Sequence, residues 1–264
     1  MSDGSIAARW AELRRVGRLG LIPYLTAGFP SPAATSDALR MLADEGADFV
    51  ELGIPFSDPL ADGPIIQRAS EVALRGGMTV RGALDLVEGA ARHGPPVVMF
   101  TYVNPILQYG LPRFLADAAA AGAGGVLLTD VPAGADPAIE AAVRDAGLDL
   151  IRLVAPTTTP ERLEVALAHA SGFVYLISRL GVTGRRTEIT ASLAHQVEQI
   201  RARTDLPVAL GFGIGSGDQA SAIARFADGV VVGSALVERL GRGLEPARDL
   251  IVELRRALDA VPVG

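Results

Sequence analysis

The stretch Phe49-Val50-Glu51-Leu52-Gly53 runs straight into Ile54-Pro55-Phe56-Ser57-Asp58-Pro59-Leu60-Ala61-Asp62-Gly63-Pro64. It reads as a short strand feeding a polar loop that three prolines stiffen. The same unit recurs in both directions along the chain. Strand-like runs fall at 21–26, 49–53, 97–101, 125–128, 150–154, 173–177, 208–211 and 229–232. Amphipathic stretches rich in Ala, Leu, Arg and Glu lie between them, for example 32–45, 112–121 and 160–169. Ser31-Pro32 and Thr159-Pro160-Glu161 carry the chemistry of helix starts.

Strands that alternate with helices imply a parallel sheet, because parallel neighbours need a crossover between them. Eight such units suit a closed (β/α)8 TIM barrel, and a doubly wound open sheet is the main competitor. Residues 1–18 read as an additional N-terminal helix able to plug the bottom of the barrel. With no linker or low-complexity tract in view, the whole of 1–264 is expected to form one barrel domain.

Composition narrows the chemistry. The net charge of −6 argues against a nucleic-acid partner, which would call for a basic face. The apolar runs, such as 230–232 and 97–100, are far below the roughly 20 residues that span a bilayer. No basic start followed by an apolar stretch marks a signal peptide, so a soluble, cytoplasmic protein is expected. Cysteine is absent, and all 24 basic residues are Arg. Without a lysine amine, the chain can run neither Schiff-base aldol chemistry nor pyridoxal-phosphate catalysis of its own. His93, His169 and His195 all fall in helix-like stretches away from strand ends, and form neither a triad nor a metal site.

Polar and glycine-rich residues gather just after the strands, where barrel enzymes build their sites. Glu51 alternates with Val50 and Leu52, so it faces the opposite side of its strand, and near the barrel top that side is the interior. A carboxyl there is desolvated and its pKa rises toward a range useful for proton transfer. Position alone also fits a Glu that caps a loop or pairs with an Arg. Asp58 and Asp62 sit in the stiff loop, where aspartates are often only turn formers. Gly211-Phe212-Gly213-Ile214-Gly215-Ser216-Gly217 after the seventh strand and Gly233-Ser234 after the eighth are placed to hold phosphate on backbone N–H groups. Gly181-Val182-Thr183-Gly184 adds a third candidate, and tight turns are the alternative for all of these glycines. The G-x-G-x-G pattern comes late in the chain and lacks the acidic residue of a dinucleotide site.

Several segments together resemble the tryptophan synthase α-chain family. They are Pro23-Tyr24-Leu25-Thr26-Ala27-Gly28, the run 51–67, Phe100-Thr101-Tyr102-Val103-Asn104-Pro105, Thr129-Asp130-Val131-Pro132, Ser178-Arg179-Leu180-Gly181-Val182-Thr183-Gly184, Gly211-Phe212-Gly213-Ile214 and Val232-Gly233-Ser234-Ala235. They follow the family's order over nearly the whole chain, and the 51–67 run is the most specific. The resemblance implies retro-aldol cleavage of indole-3-glycerol phosphate to indole and glyceraldehyde 3-phosphate. It makes Glu51 the general acid/base, and Asp62 the group that accepts the indole N–H and offsets positive charge on the ring. Tyr24, Phe100, Tyr102, Leu127, Leu153, Tyr175, Thr183 and Phe212 match the substrate pocket, although ordinary core packing also accounts for the apolar ones. Gly184, Gly213, Gly233 and Ser234 match the phosphate cradle, and Arg179 and Thr183 a closing lid loop. Arg185-Arg186 after that loop, and Val103 where many relatives carry Tyr, depart from the family pattern. The resemblance further implies a β-subunit partner in an α2β2 assembly, with pyridoxal phosphate in the β subunit and no cofactor or metal in this chain. Pro55, Asp58, Asn104 and Pro132 match positions that face that partner. A stand-alone lyase releasing free indole shares the same catalytic residues. A catalytically silent regulatory subunit would have no use for Glu51 and Asp62, and another phosphosugar barrel enzyme leaves the 51–62 segment unexplained.

Overall fold

A computed structural model describes residues 5–92, 94–177, 186–211 and 213–261. Its strands are β1 (Gly20–Thr26), β2 (Val50–Gly53), β3 (Val97–Thr101), β4 (Gly125–Leu128), β5 (Asp149–Val154), β6 (Val174–Ile177), β7 (Val208–Gly211) and β8 (Gly229–Val232). All neighbours pair in parallel, and β8 returns to β1, so the sheet closes as the (β/α)8 barrel expected from the alternation. The open-sheet alternative is excluded by that closure.

Alternation along each strand sorts the side chains. One set (Leu21, Leu25, Val50, Leu52, Val97, Met99 and their equivalents) packs outward into the large core beneath the helices. The other set points inward: Ile22, Val98, Leu127, Ile151, Ala209 and Val231 are buried there, with Phe100, Leu153 and Tyr175 partly buried above them. This inward row carries the chemistry, because Tyr24 and Glu51 stand opposite each other in the β1–β2 register.

The N-terminal helix α1 (Ile6–Val16) is shorter than the 1–18 expected but does close the barrel's bottom. Ser5 caps it by accepting from the Ala8 N–H, and Gly17 ends it in the left-handed region, with φ 63°. Its buried face is Ile6, Trp10 and Leu13, one helical stripe. The Trp10 ring lies 4.6 Å from Phe49 and 5.9 Å from Phe173. It covers Gly20 and Gly229, where a Cβ would come within 2.8 and 2.7 Å of the indole. Asp48, fully buried beside this plug, accepts from the Leu21 N–H and pairs with Arg9 and Arg255. Deleting the plug's largest side chain should therefore open a cavity that the closed strands cannot collapse into. Trp10→Ala is expected to lose about 3–5 kcal/mol of unfolding free energy. Urea unfolding followed by circular dichroism checks this, and a loss below about 1 kcal/mol would show that the plug is dispensable.

Two crossovers carry two helices each. Between β2 and β3 lie α3 (Pro64–Arg75) and α4 (Val80–Ala91), and between β3 and β4 lie α5 (Val103–Tyr109) and α6 (Leu111–Ala120). The short extra helices follow the loops that shape the barrel mouth. Among the described residues no helix is long and apolar enough to cross a membrane.

Candidate functional site

Glu51 projects from β2 into the barrel as its alternation implies. It is 1% exposed, and its Oε1 has no hydrogen-bond partner among the described residues. Burial favours the neutral form, which pushes its pKa up from 4.5 to about 8. Among the described residues Glu51 neither caps the loop nor pairs with an Arg.

The loop after β2 is tied down from both sides. Asp62 N–H donates to Pro59 O at 3.1 Å, closing a turn. Gln67, from α3, donates to Asp62 O at 3.0 Å and to Pro59 O at 3.3 Å. From β3's side, the Tyr102 hydroxyl accepts the Ala61 N–H at 3.0 Å. Asp62 is half-buried, and burial raises its pKa from 3.8 to about 6, partly offset by a hydrogen bond from Tyr102. Asp58 is exposed instead, and its carboxylate accepts from the neighbouring Ser57 hydroxyl. The two loop acids thus differ in kind: Asp62 faces the mouth's aromatic wall, and Asp58 faces solvent.

Aromatic rings line the space above Glu51. Tyr24 and Phe100 meet edge to face with centroids 5.2 Å apart, and Tyr102 lies 5.3 Å from Phe56. Two glycines let the phenols reach inward. A Cβ on Gly53 would lie 2.1 Å from the Tyr24 hydroxyl, and one on Gly211 would lie 2.2 Å from that of Tyr175. Desolvation, with Glu51 nearby, raises the pKa of both phenols, so both stay protonated. Leu153 is half-buried in this inward cluster, whereas Leu127 is wholly buried and forms its floor.

On the rim next to β1, with which β8 pairs, Gly233 precedes α11 (Ser234–Leu240), so the first N–H groups of that helix point toward the mouth. A Cβ on Gly233 would lie 3.8 Å from Tyr24 Cβ and 3.9 Å from Ile66, which places this turn beside the aromatic wall. Gly213 is exposed and left-handed, with φ 63° and open space around its Cα. Ser216 caps α10 (Gly217–Ala224) immediately beyond it. Phe212, Arg179, Thr183, Gly184 and Arg185 lie outside the described residues, as does His93. His169 and His195 are exposed on helices remote from this mouth.

Of the positions matched to a partner-facing surface, Asp58, Asn104 and Pro132 are exposed, and Pro55 is buried within the chain. The loops that carry them are joined, because Asp130 accepts the Val103 N–H at 2.8 Å. Two residues here escaped the sequence reading. Leu60 is 94% exposed in the loop after β2, and Leu107 is 52% exposed on α5. A bare leucine among prolines and aspartates was the available signal for the first. The role of Gln67 as a loop fastener had none, since a polar residue early in a helix is unremarked.

A family model described as tryptophan synthase alpha chain matches residues 10–260. The tryptophan synthase alpha chain of Acidiphilium cryptum is 48% identical over 91% of this chain and 88% of its own length. That of Synechococcus elongatus is 44% identical over 98% of each. Among solved structures, tryptophan synthase from M. tuberculosis aligns with TM-score 0.89 at 40% identity, covering 96% of this chain and 98% of that one. The alpha subunit from Legionella pneumophila aligns with TM-score 0.89 at 36% identity, covering 97% and 98%. With a matching family model over nearly its whole length, and relatives this similar from end to end, the chain belongs to the tryptophan synthase alpha chain family.

Proposed function

We propose that this chain cleaves indole-3-glycerol phosphate to indole and glyceraldehyde 3-phosphate, as the α subunit of tryptophan synthase in L-tryptophan biosynthesis. The observation that carries the reading is the wholly buried Glu51 carboxyl at the barrel mouth, its Oε1 without a partner among the described residues, with half-buried Asp62 beside it.

The chemistry follows from those two environments. At neutral pH Glu51 holds its proton and delivers it to indole C3, turning the ring into a cationic leaving group. Asp62, ionised above about 6, accepts the indole N–H and offsets the charge that develops on nitrogen. The Glu51 carboxylate then takes the proton of the glycerol hydroxyl on the carbon bonded to C3. That C–O–H becomes the aldehyde C=O as the C–C bond breaks, and the bonding pair restores neutral indole. Glu51 ends protonated, ready for another turnover. No lysine or metal takes part in this sequence of steps.

The aromatic wall of Tyr24, Phe100 and Tyr102, with Leu153 and Tyr175 below, gives the ring an apolar slot, and Leu127 supports it from beneath. Phe212 and the lid residues Arg179 and Thr183 complete the slot in this reading, with the lid excluding water. The phosphate rests on backbone N–H groups at Gly184, Gly213, Gly233 and Ser234, since no Arg lies in the loops after β7 and β8. A crystal soaked with a substrate analogue should show phosphate at Gly213, Gly233 and Ser234. Phosphate held instead by Arg179 or Arg185 would overturn that assignment.

The two carboxyls also fix a pH dependence. Activity needs Asp62 ionised and Glu51 protonated, so it rises through about 6 and falls through about 8 as pH increases. The profile of kcat/KM should therefore carry an alkaline limb near 8, and a profile flat to pH 10 would contradict Glu51 as the acid.

The partner is the β subunit of tryptophan synthase, which supplies pyridoxal phosphate, and the assembly is α2β2. The exposed Leu60, Asp58, Asn104, Leu107 and Pro132 offer it contacts on the segments that follow β2, β3 and β4. A cytoplasmic location goes with that biosynthetic role.

A further inference from the structure

Two groups inside the barrel mouth carry unused hydrogen-bonding capacity, and they stand on adjacent strands at one level. Glu51 is 1% exposed and its Oε1 lacks a partner among the described residues. Tyr24, its register partner on β1, is buried as well, and its hydroxyl fills the space over Gly53 that any other residue there would occupy. The Tyr24 oxygen accepts from the Thr26 hydroxyl at 3.4 Å. That contact engages the oxygen's lone pair and leaves the phenol's own proton to be donated elsewhere.

The ionisable neighbours decide where that proton goes. Asp62 faces Tyr24 from the loop after β2, Tyr102 from the end of β3, and Glu51 from β2, while Tyr175 approaches Glu51 and Tyr24 from β6. Asp62 already receives a hydrogen bond from Tyr102. Glu51 Oε1 receives none from the described residues, so it is the acceptor with most to gain. Burial among these acids keeps Tyr24 protonated through the working pH range, so it always brings a donor.

We propose that Tyr24 is a positioning residue for Glu51, its hydroxyl donating a hydrogen bond to the Glu51 carboxylate that forms when Glu51 has given its proton to the substrate. The inference rests on Glu51 being the acid/base. No proton is transferred from Tyr24. It stabilises the ionised carboxylate inside an otherwise apolar cavity and holds it toward the glycerol hydroxyl for the second step. The ring's contact with Phe100 and the turn at Gly233 is separate from this role and would survive loss of the hydroxyl.

The test is Tyr24→Phe, which keeps the ring and removes one oxygen, assayed for indole release across pH beside wild type, Glu51→Gln and Tyr175→Phe. A hydrogen bond to a charged group stabilises it by an amount worth about tenfold or more. Tyr24→Phe is therefore expected to lower kcat by about tenfold with KM changed less than about twofold. Because the lost bond favoured ionised Glu51, the alkaline limb should move to higher pH, by roughly one unit. A limb and kcat that stay at their wild-type values would overturn the proposal. So would a loss confined to KM, which marks Tyr24 as pocket wall only, or a limb that Tyr175→Phe moves and Tyr24→Phe does not. An active Glu51→Gln would instead remove the acid/base reading itself, whereas an inactive Glu51→Gln beside an unshifted Tyr24→Phe removes only the role given to Tyr24.

Discussion

Glu51→Gln is expected to lower the turnover of indole-3-glycerol phosphate by about 10²–10⁴-fold while leaving the fold and substrate binding largely intact. The amide has nearly the shape of the protonated carboxyl that burial favours here, so the cavity around position 51 is preserved. What the amide cannot do is deliver a proton to C3 and then recover one from the hydroxyl. Wild type and variant should therefore differ in kcat far more than in KM, and any residual activity should lack the alkaline limb near 8. Turnover within tenfold of wild type would remove Glu51 from the mechanism.

Asp62→Asn should cost about 10²-fold or more in kcat, because a neutral amide cannot offset the positive charge that develops on the indole nitrogen. The loop supports the comparison with Asp58→Asn as an internal control. Asp62 is half-buried against Tyr102, whereas Asp58 is in solvent with Ser57. The turn that carries Asp62 is held by backbone groups and by Gln67, so the substitution should not release it. Steady-state kinetics that show Asp58→Asn impaired and Asp62→Asn normal would transfer the role to the other carboxylate.

The barrel was legible because short apolar, β-branched runs alternate with amphipathic helical stretches along the chain. At β3, β4, β7 and β8 the expected and observed limits coincide, and elsewhere they differ by one residue. Those strands carry β-branched and apolar runs ended by glycine or by a polar loop, which leaves little choice of limits. Glu51 was legible for the same reason, since a charge between Val50 and Leu52 must face the opposite side of the strand. The plug helix ran shorter than expected because Gly17 turns left-handed and ends it, a stop signal reinforced by Arg14 and Arg15 that a limit at Arg18 passes over. The difference between Asp58 and Asp62 was not legible from spacing at all. It arises from Tyr102, some forty residues on, whose hydroxyl reaches the loop only once β2 and β3 are paired. Nor was the reach of Tyr24 over Gly53, which depends on the β1–β2 register. Residues that meet across strands leave no local pattern, and the site is built almost wholly of such meetings.

In the function proposed above, the loops after β2 and β3 also connect catalysis to the partner. They hold Asp62 and Tyr102 inside, and Leu60 and Leu107 outside. A β subunit that binds only the arrangement in which these groups converge raises the population of that arrangement, and so the rate, without adding a catalytic residue. The decisive measurement is indole release from indole-3-glycerol phosphate by the purified chain, with and without a cognate β subunit. Indole is expected in both cases, severalfold more with the β subunit, and almost none from Glu51→Gln in either. No indole from the wild-type chain under either condition would contradict the proposed reaction, and equal rates with no complex formed would contradict the partnership.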